Sequence, residues 1–178
     1  EIVKLWPQQK DKLMKQIGSS FEVLNNALSH ERDVWMHNDL DSWIRYNPCF
    51  PGVIDAINHS ECDIYIISTK EKKYITKILE VNGVDPKKVP EDRIFALGSG
   101  TKIQILKTLL NQYPAETTIH FVEDFYPMLE EASISLLGEN VKYYLASWGY
   151  NTQEDRDRAE IHPFMTVIDL PTFVNRMQ

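Results

Sequence analysis

The chain has 178 residues, of which 43% are hydrophobic and 25% charged, with 7 Gly and 9 Pro. This composition fits a globular domain with a sizeable core and excludes a disulfide-stapled miniprotein, a collagen-like chain and a wholly disordered one. Lys and Arg number 19 against 26 Asp and Glu, so the formal net charge is −7. A net negative charge disfavours general binding to nucleic acid or to anionic membranes, and we predict neither partner.

The chain contains two cysteines, Cys49 and Cys62, and no Cys/His cluster at zinc-ligand spacing. We interpret them as reduced thiols of an intracellular protein; a disulfide between them is the alternative. No apolar run approaches the roughly 20 residues that a membrane span needs. The first residues also lack the charged-then-apolar layout of a signal peptide.

Residues 1–46 show the apolar spacing of amphipathic helices and no strand signal. The longest such segment is marked by Phe21, Leu24, Leu28 and Trp35. A cluster of Pro and Gly at 47–52 then breaks the helical pattern. We place a boundary there, between a helical segment of residues 1–46 and a second segment of residues 47–178.

In the second segment, strand and helix patterns alternate. The predicted strands lie at 63–68, 94–97, 118–122, 142–147 and 167–170, and the predicted helices lie around 74–79, 103–110, 128–137 and from 152 onward. The last of these helices opens with a capping box, Thr152 to Asp155, in which Asp replaces the usual Glu. Alternation at this spacing predicts an α/β fold with a Rossmann-like parallel sheet and right-handed crossovers.

Ligands of open parallel sheets bind beyond the carboxyl ends of the strands, so the polar residues that follow each strand are the first candidates for a site. The first strand ends at Ser68 and Thr69, and the third at Glu123 and Asp124. Both pairs also have a plain structural interpretation, because Ser or Thr can N-cap a helix and acids favour its positive end. Lys102 follows a Gly-Ser-Gly-Thr turn that lacks the spacing of a phosphate-binding loop, and taken alone it is a solvated lysine.

Taken in chain order, a strand ending in Ser68, a helix starting at Lys102 and a strand ending in Glu123 and Asp124 resemble the haloacid dehalogenase-like (HAD) phosphohydrolase superfamily. Phe-Pro-Gly-Val at 50–53 resembles the point where such chains return from a helical cap to the core. The similarity is closer to a poorly characterised subgroup associated with photosynthetic organisms, which implies the cytoplasm or a plastid. The similar segments are 32–35, 39–40, 50–53, 100–102, 120–124 and 148–152.

The resemblance implies a role for each residue of the set. Ser68 would hydrogen-bond the transferring phosphoryl group, with Thr69 beside it at the substrate. Lys102 would neutralise charge between the nucleophile and the phosphoryl oxygens, and Glu123 and Asp124 would hold Mg²⁺. These roles are chemically sound, because Mg²⁺ prefers carboxylate oxygens and phosphoryl transfer depends on positioning and charge stabilisation. The implied partner is a small phosphorylated substrate.

The superfamily's nucleophile motif, Asp-x-Asp at the end of an early strand, has no convincing copy here. Asp39 and Asp41 match the Asp-x-Asp spacing, but the residues before them are unlike a buried strand. We therefore expect them to be loop and cap residues at the start of a short helix. We interpret Asp155-Arg156-Asp157 as the solvated face of a polar helix. Two further departures are Met128, where many relatives carry Asp, and Phe125, which replaces Arg of the subgroup and which we expect to be a packing residue.

Two explanations of the missing motif remain open. We favour a Mg²⁺-dependent HAD-like phosphohydrolase that acts through an aspartyl-phosphate, of which this chain is the C-terminal part, because its helical sequence starts abruptly at Glu1 without Met. Residues 1–46 would then be a partial helical cap, and residues 47–178 a HAD-like core without its first strand. The alternative is a complete, non-catalytic binding or interaction module on the same fold.

The favoured explanation makes an expectation about the sheet. In proteins that the chain resembles, the nucleophile strand lies between the strand that ends at Ser68 and the strand that ends at Glu123. We therefore expect a missing N-terminal segment or another chain to fill that place, or else the two strands to pair directly, because unpaired main-chain groups at a buried edge are costly.

Overall fold

The structure is a computed structural model that describes the backbone of residues 2–177 and the side chains of residues 9–177. It divides into two compact units, Glu1–Pro48 and Cys49–Gln178. None of the helices in the described part of the chain is both long enough and apolar enough to cross a bilayer. Cys49 and Cys62 are both free thiols.

The first unit is helical, as predicted. Its helices are α1 (Ile2–Ile17), α2 (Phe21–Asn38) and α3 (Leu40–Arg45). Ser20 caps α2 by accepting a hydrogen bond from the Val23 main-chain N–H, 3.2 Å away. Trp43 of α3 is almost completely buried. The apolar residues that mark α2, by contrast, are exposed, and no residue of that helix is buried.

The second unit alternates helices and strands, which confirms the predicted α/β class. Its elements are α4 (Val53–His59), β1 (Ile66–Ile67), α5 (Lys72–Val81), a 3₁₀ turn (Glu91–Arg93), β2 (Ile94–Phe95), α6 (Lys102–Gln112), β3 (Ile119–Glu123), α7 (Tyr126–Ser135), β4 (Val141–Ala146), α8 (Gln153–Glu160), β5 (Met165–Ile168) and α9 (Leu170–Met177). Several details differ from the sequence pattern. The first two strands are only two residues long, the last begins and ends two residues earlier than predicted, and α9 has no predicted counterpart.

All strand pairs are parallel, and they form two small sheets rather than one. In the first sheet β1 pairs with β2, and in the second β4 lies between β3 and β5. The β3–β4 register places Glu123 opposite Leu145, so the carboxyl ends of these two strands lie side by side. Loops that follow β3 and β4 therefore meet at one edge of the second sheet.

Each sheet has its own apolar core. The core of the larger sheet is formed by β3, β4 and β5 packing against α6, α7 and α8, with Leu129 and Leu145 fully buried. The smaller sheet packs with α4 and α5 around Ile57, Ile75 and Ile94. Ile67 of β1 reaches the core of the larger sheet. The two sheets are therefore connected by side-chain packing.

Strands β1 and β3 each have a side to which no strand of the described chain is paired. The N–H of Ser68 bonds to Phe95 beside β1, and the N–H of Ile119 bonds to Asn140 beside β3. Since successive residues of a strand point their main-chain groups to opposite sides, those of Ile67, His120 and Val122 face the unpaired sides. Direct pairing of β1 with β3, one of the expected outcomes, is absent from the structure.

His120 on β3 gives the fold a pH dependence. Its ring stacks on Tyr144 of β4, with centroids 5.7 Å apart and an interplanar angle of 4°. Partial burial, followed by the positive charges of Lys142 and Arg176, lowers the pKa of His120 below its ordinary value of 6.5. The unfolded chain therefore takes up the proton first, so His120 contributes stability above pH 6.5 that is lost as the pH falls through that value toward the folded pKa.

We expect His120→Phe, which keeps a ring for stacking but cannot titrate, to lose less stability than the parent between pH 7.5 and pH 5. Urea denaturation of both proteins across that range measures the difference. Equal slopes for the two proteins would contradict the lowered pKa.

Candidate functional site

Lys102 and Glu123 form an ion pair at the carboxyl edge of the larger sheet. Lys102 is the first residue of α6, whose start is fixed by a complete capping box between Thr101 and Gln104. Glu123 is the last residue of β3 and is 8% exposed. The Lys102 side chain keeps 21% of its surface exposed. The interpretation of Lys102 as a solvated surface lysine is therefore wrong.

Main-chain N–H groups hold both acids of the pair at the end of β3. Phe125 donates its N–H to Glu123 Oε1 at 3.2 Å, and Tyr150 donates its N–H to Asp124 Oδ2 at 2.9 Å. Tyr150 belongs to the loop after β4, which Gly149 brings against Asp124. A Cβ added to Gly149 would lie 2.6 Å from Asp124 Oδ2 and 2.8 Å from its Cγ, so only glycine permits this approach.

Hydrogen bonds of Asn151 also fix the position of this loop. Its Nδ2 donates to the main-chain oxygens of Asp124 at 3.1 Å and of Ala146 at 2.8 Å. Arg156 of α8 in turn donates to Asn151 Oδ1 at 2.7 Å. The segment 148–152 therefore ties the end of β4 to the end of β3. Sequence reasoning quoted this segment as part of a resemblance but assigned no role to Gly149 or Asn151.

Ser68 and Thr69 lie at the end of the other sheet. Ser68 Oγ accepts a hydrogen bond from the Lys70 N–H at 3.1 Å, which closes a local turn, and Thr69 is exposed. Neither residue caps α5, because the N-cap position is Glu71. The structure thus pairs Lys102 with Glu123, and Asp124, the next residue, is bound by the loop after β4. Among the described hydrogen bonds, none links Ser68 or Thr69 to that group.

The weaker acidic candidates are structural residues. Asp39 is the N-cap of α3, and its Oδ1 accepts from the Ser42 N–H at 3.0 Å, as expected for a cap. Asp155 completes the predicted capping box of α8 with Thr152. Arg156 is half-buried and bound to Asn151, so the interpretation of 155–157 as a wholly solvated face is wrong at that residue.

Mg²⁺ binds oxygen ligands in an octahedral shell, and the carboxylates of Glu123 and Asp124 are donors of the right chemistry. Both oxygens of Glu123 are engaged, however, by Lys102 and by the Phe125 N–H, and Asp124 uses one oxygen for Tyr150. Residues 9–177 hold no group of three or more His, Cys, Asp or Glu placed to bind a metal. The acid pair alone therefore falls short of a complete magnesium site.

Comparison of the chain with protein-family models, with curated proteins and with solved structures finds no significant match.

Proposed function

We propose that this chain is the C-terminal part of a HAD-like, Mg²⁺-dependent phosphohydrolase that works through an aspartyl-phosphate, with the nucleophilic Asp on a strand outside this sequence. The observation that carries the proposal is the divided sheet. Two all-parallel sheets are joined by side-chain packing at Ile67, and β1 and β3 each leave a row of main-chain groups unpaired, as do the other edge strands β2 and β5. In this proposal one further parallel strand lies between β1 and β3, pairs with both and creates a continuous sheet.

The place where such a strand would end supports the proposal as well. Parallel strands share one carboxyl edge, so the last residues of an added strand would lie near the end of β3, where Lys102 meets Glu123. A half-buried ammonium group beside that position would stabilise an attacking carboxylate and the negative charge of a phosphoryl group. A carboxylate from the added strand would also complete the ligand set begun by Asp124.

The chain's own residues have separate roles in this proposal. Lys102 holds charge at the transferring group, and Glu123 keeps the ammonium oriented in the unliganded chain. Asp124, fixed by the Tyr150 N–H, offers a carboxylate to Mg²⁺, which when bound neutralises phosphate charge. Ser68 closes a turn at the end of β1, where its hydroxyl would reach a phosphoryl group only after β1 joins the continuous sheet.

A non-catalytic binding or interaction module is the second candidate. The observation that favours it is the internal engagement of Glu123, whose two oxygens already have protein partners. In that case the ion pair would serve to fasten α6 to β3, and the unpaired sides of β1 and β3 would receive a strand from a partner protein, as in other β-strand additions.

Activity measurements separate the two candidates. We expect residues 1–178 with Mg²⁺ to hydrolyse p-nitrophenyl phosphate no faster than a buffer blank, because no Asp-x-Asp in the described part of the chain, residues 9–177, ends a strand. A longer polypeptide from the same coding frame should contain an apolar strand ending in Asp-x-Asp before Glu1 and should turn over the ester. Lys102→Met should reduce that turnover by at least 100-fold, on the order expected for an electrostatic group at the reacting phosphate.

Two outcomes would contradict the proposal. Turnover by residues 1–178 that is lost on mutating Asp39 or Asp41 would place the nucleophile inside the chain. A coding frame without an Asp-x-Asp strand ahead of Glu1, together with an inactive protein, would establish the interaction module instead.

A further inference from the structure

An aromatic pair stands beside the acid pair at the carboxyl edge of the larger sheet. The rings of Phe125 and Tyr150 have centroids 6.2 Å apart and are tilted by 37°, within the range of favourable aromatic contacts. Phe125 is half-buried, as expected for a packing residue, whereas Tyr150 is 69% exposed. The Phe125 ring therefore packs against the Tyr150 ring, and most of the Tyr150 side chain is exposed to solvent.

The backbone beneath these rings is held by the site itself. The N–H of Phe125 binds Glu123, and the N–H of Tyr150 binds Asp124. Asn151, next along the chain, is anchored to the main chain at Asp124 and Ala146. A lone exposed aromatic residue is ordinary on a protein surface. Tyr150 differs because these four hydrogen bonds of the site and its loop fix its main chain relative to the acids.

The charged group and the loop of Tyr150 lie at the same end of β3. Lys102 contacts Glu123, and the main chain of Tyr150 contacts Asp124, the next residue of the chain. A phosphoryl group bound at Lys102 would therefore lie at the strand end that carries the Tyr150 loop. A planar ring bonded directly to the phosphate oxygen is the substituent that an aromatic side chain on this loop would hold, because stacking on an aromatic platform is a general way of holding planar rings.

We infer that Tyr150, supported by Phe125, forms the leaving-group subsite of this protein, and that its substrates are phosphomonoesters of planar aromatic or heteroaromatic alcohols. This inference rests on the proposed function, because it takes Lys102 as the group that receives the phosphoryl end. It adds the substrate class, which the acid pair and the lysine do not define.

Ligand-observed NMR titrations of the 178-residue chain test the inference without turnover. The probes are phenyl phosphate, glycerol 2-phosphate, inorganic phosphate and phenol. We expect the parent to bind phenyl phosphate about tenfold more tightly than glycerol 2-phosphate, which is the lower part of the range seen for stacking on one aromatic side chain. Tyr150→Ala should abolish this preference, and Tyr150→Phe should keep it.

Matched variants control for folding and for location. Phe164→Ala removes another exposed aromatic ring, directly before β5 and so at the opposite edge of the sheet, and should leave the preference unchanged. Glu123→Gln should strengthen binding of all three phosphate ligands by releasing Lys102, and the double variant Lys102→Met/Glu123→Gln should lose that gain.

The outcomes distinguish a failure of the leaving-group subsite from a failure of the proposed phosphohydrolase function. Binding that depends on Lys102 but shows the same phenyl preference in Tyr150→Ala would overturn the subsite and leave the proposed function standing. Phosphate ligands that bind equally with and without Lys102 would overturn the proposed function, even if phenol still requires Tyr150. Loss of the preference in Phe164→Ala would show that the effect is not local to the site, and would also overturn the subsite.

Discussion

Replacing Lys102 by methionine should lower the free energy of unfolding by about 2–3 kcal/mol, because it leaves the Glu123 carboxylate buried without its cation. A fully buried pair would lose more when one partner is removed, but the Lys102 side chain keeps a fifth of its surface in contact with water, which screens part of the loss. Urea denaturation at pH 7 measures the change.

The double variant Lys102→Met/Glu123→Gln should recover most of the lost stability. Gln keeps an oxygen that accepts the Phe125 N–H, and no charge is then left unpaired. Lys107→Met on the exposed side of the same helix is the matched control, and we expect it to change stability by less than about 0.5 kcal/mol. If Lys102→Met costs no more than Lys107→Met, the ion pair contributes nothing to stability.

Gly149→Ala should have a comparable or larger effect, about 2–4 kcal/mol, because the new methyl group would overlap the Asp124 side chain. The nearest atoms to that methyl all belong to Asp124, a residue that two further contacts hold in place. We expect the loop to move away from β3, so the amide resonance of Tyr150 should shift as its hydrogen bond to Asp124 is lost. Denaturation and amide NMR spectra of the variant test both effects.

Two companion variants locate the cause of that loss. Asp124→Gly/Gly149→Ala removes the overlapping side chain and should be more stable than Gly149→Ala alone. Gly138→Ala adds a methyl group to open space and bears only the strain of its positive φ, so it should cost less than Gly149→Ala. A Gly149→Ala protein with parental stability and an unchanged Tyr150 amide would show that the close approach is unimportant.

The sequence predicted most of the fold of the second unit, because local patterns determine helices and strands. Apolar spacing located α5, α6 and α7, and the Thr152 to Asp155 capping box marked the start of α8. Helix α9 was missed because the predicted last strand, 167–170, ran through Asp169, whereas in the structure the Asp169 side chain accepts a hydrogen bond from the Thr172 N–H at 2.9 Å at the start of the helix. The division of the sheet was not predictable from these patterns, since periodicity does not reveal which strands pair.

The same distinction applies to the site. Strand ends indicated Glu123 and Asp124 from sequence, the resemblance added Lys102, and the structure pairs Lys102 with Glu123. The role of Gly149 was not visible, because its requirement arises from contact with a residue 25 positions away rather than from its own backbone angle. The exposure of the Tyr150 ring was not predicted either, since tyrosine is intermediate between buried and exposed residue types.

The pairing order of the strands determines how the second unit can fold. Every strand pairs only with the strand that directly precedes or follows it along the chain. Each pairing therefore closes a connection that contains a single α-helix. Such local pairing favours fast formation, and we expect β1–β2 and β3–β4–β5 to nucleate independently around their separate cores. Docking of Ile67 then comes last, whereas α6 packs within the core of the larger sheet. We therefore expect the Lys102–Glu123 pair to form with that core, before the two sheets join.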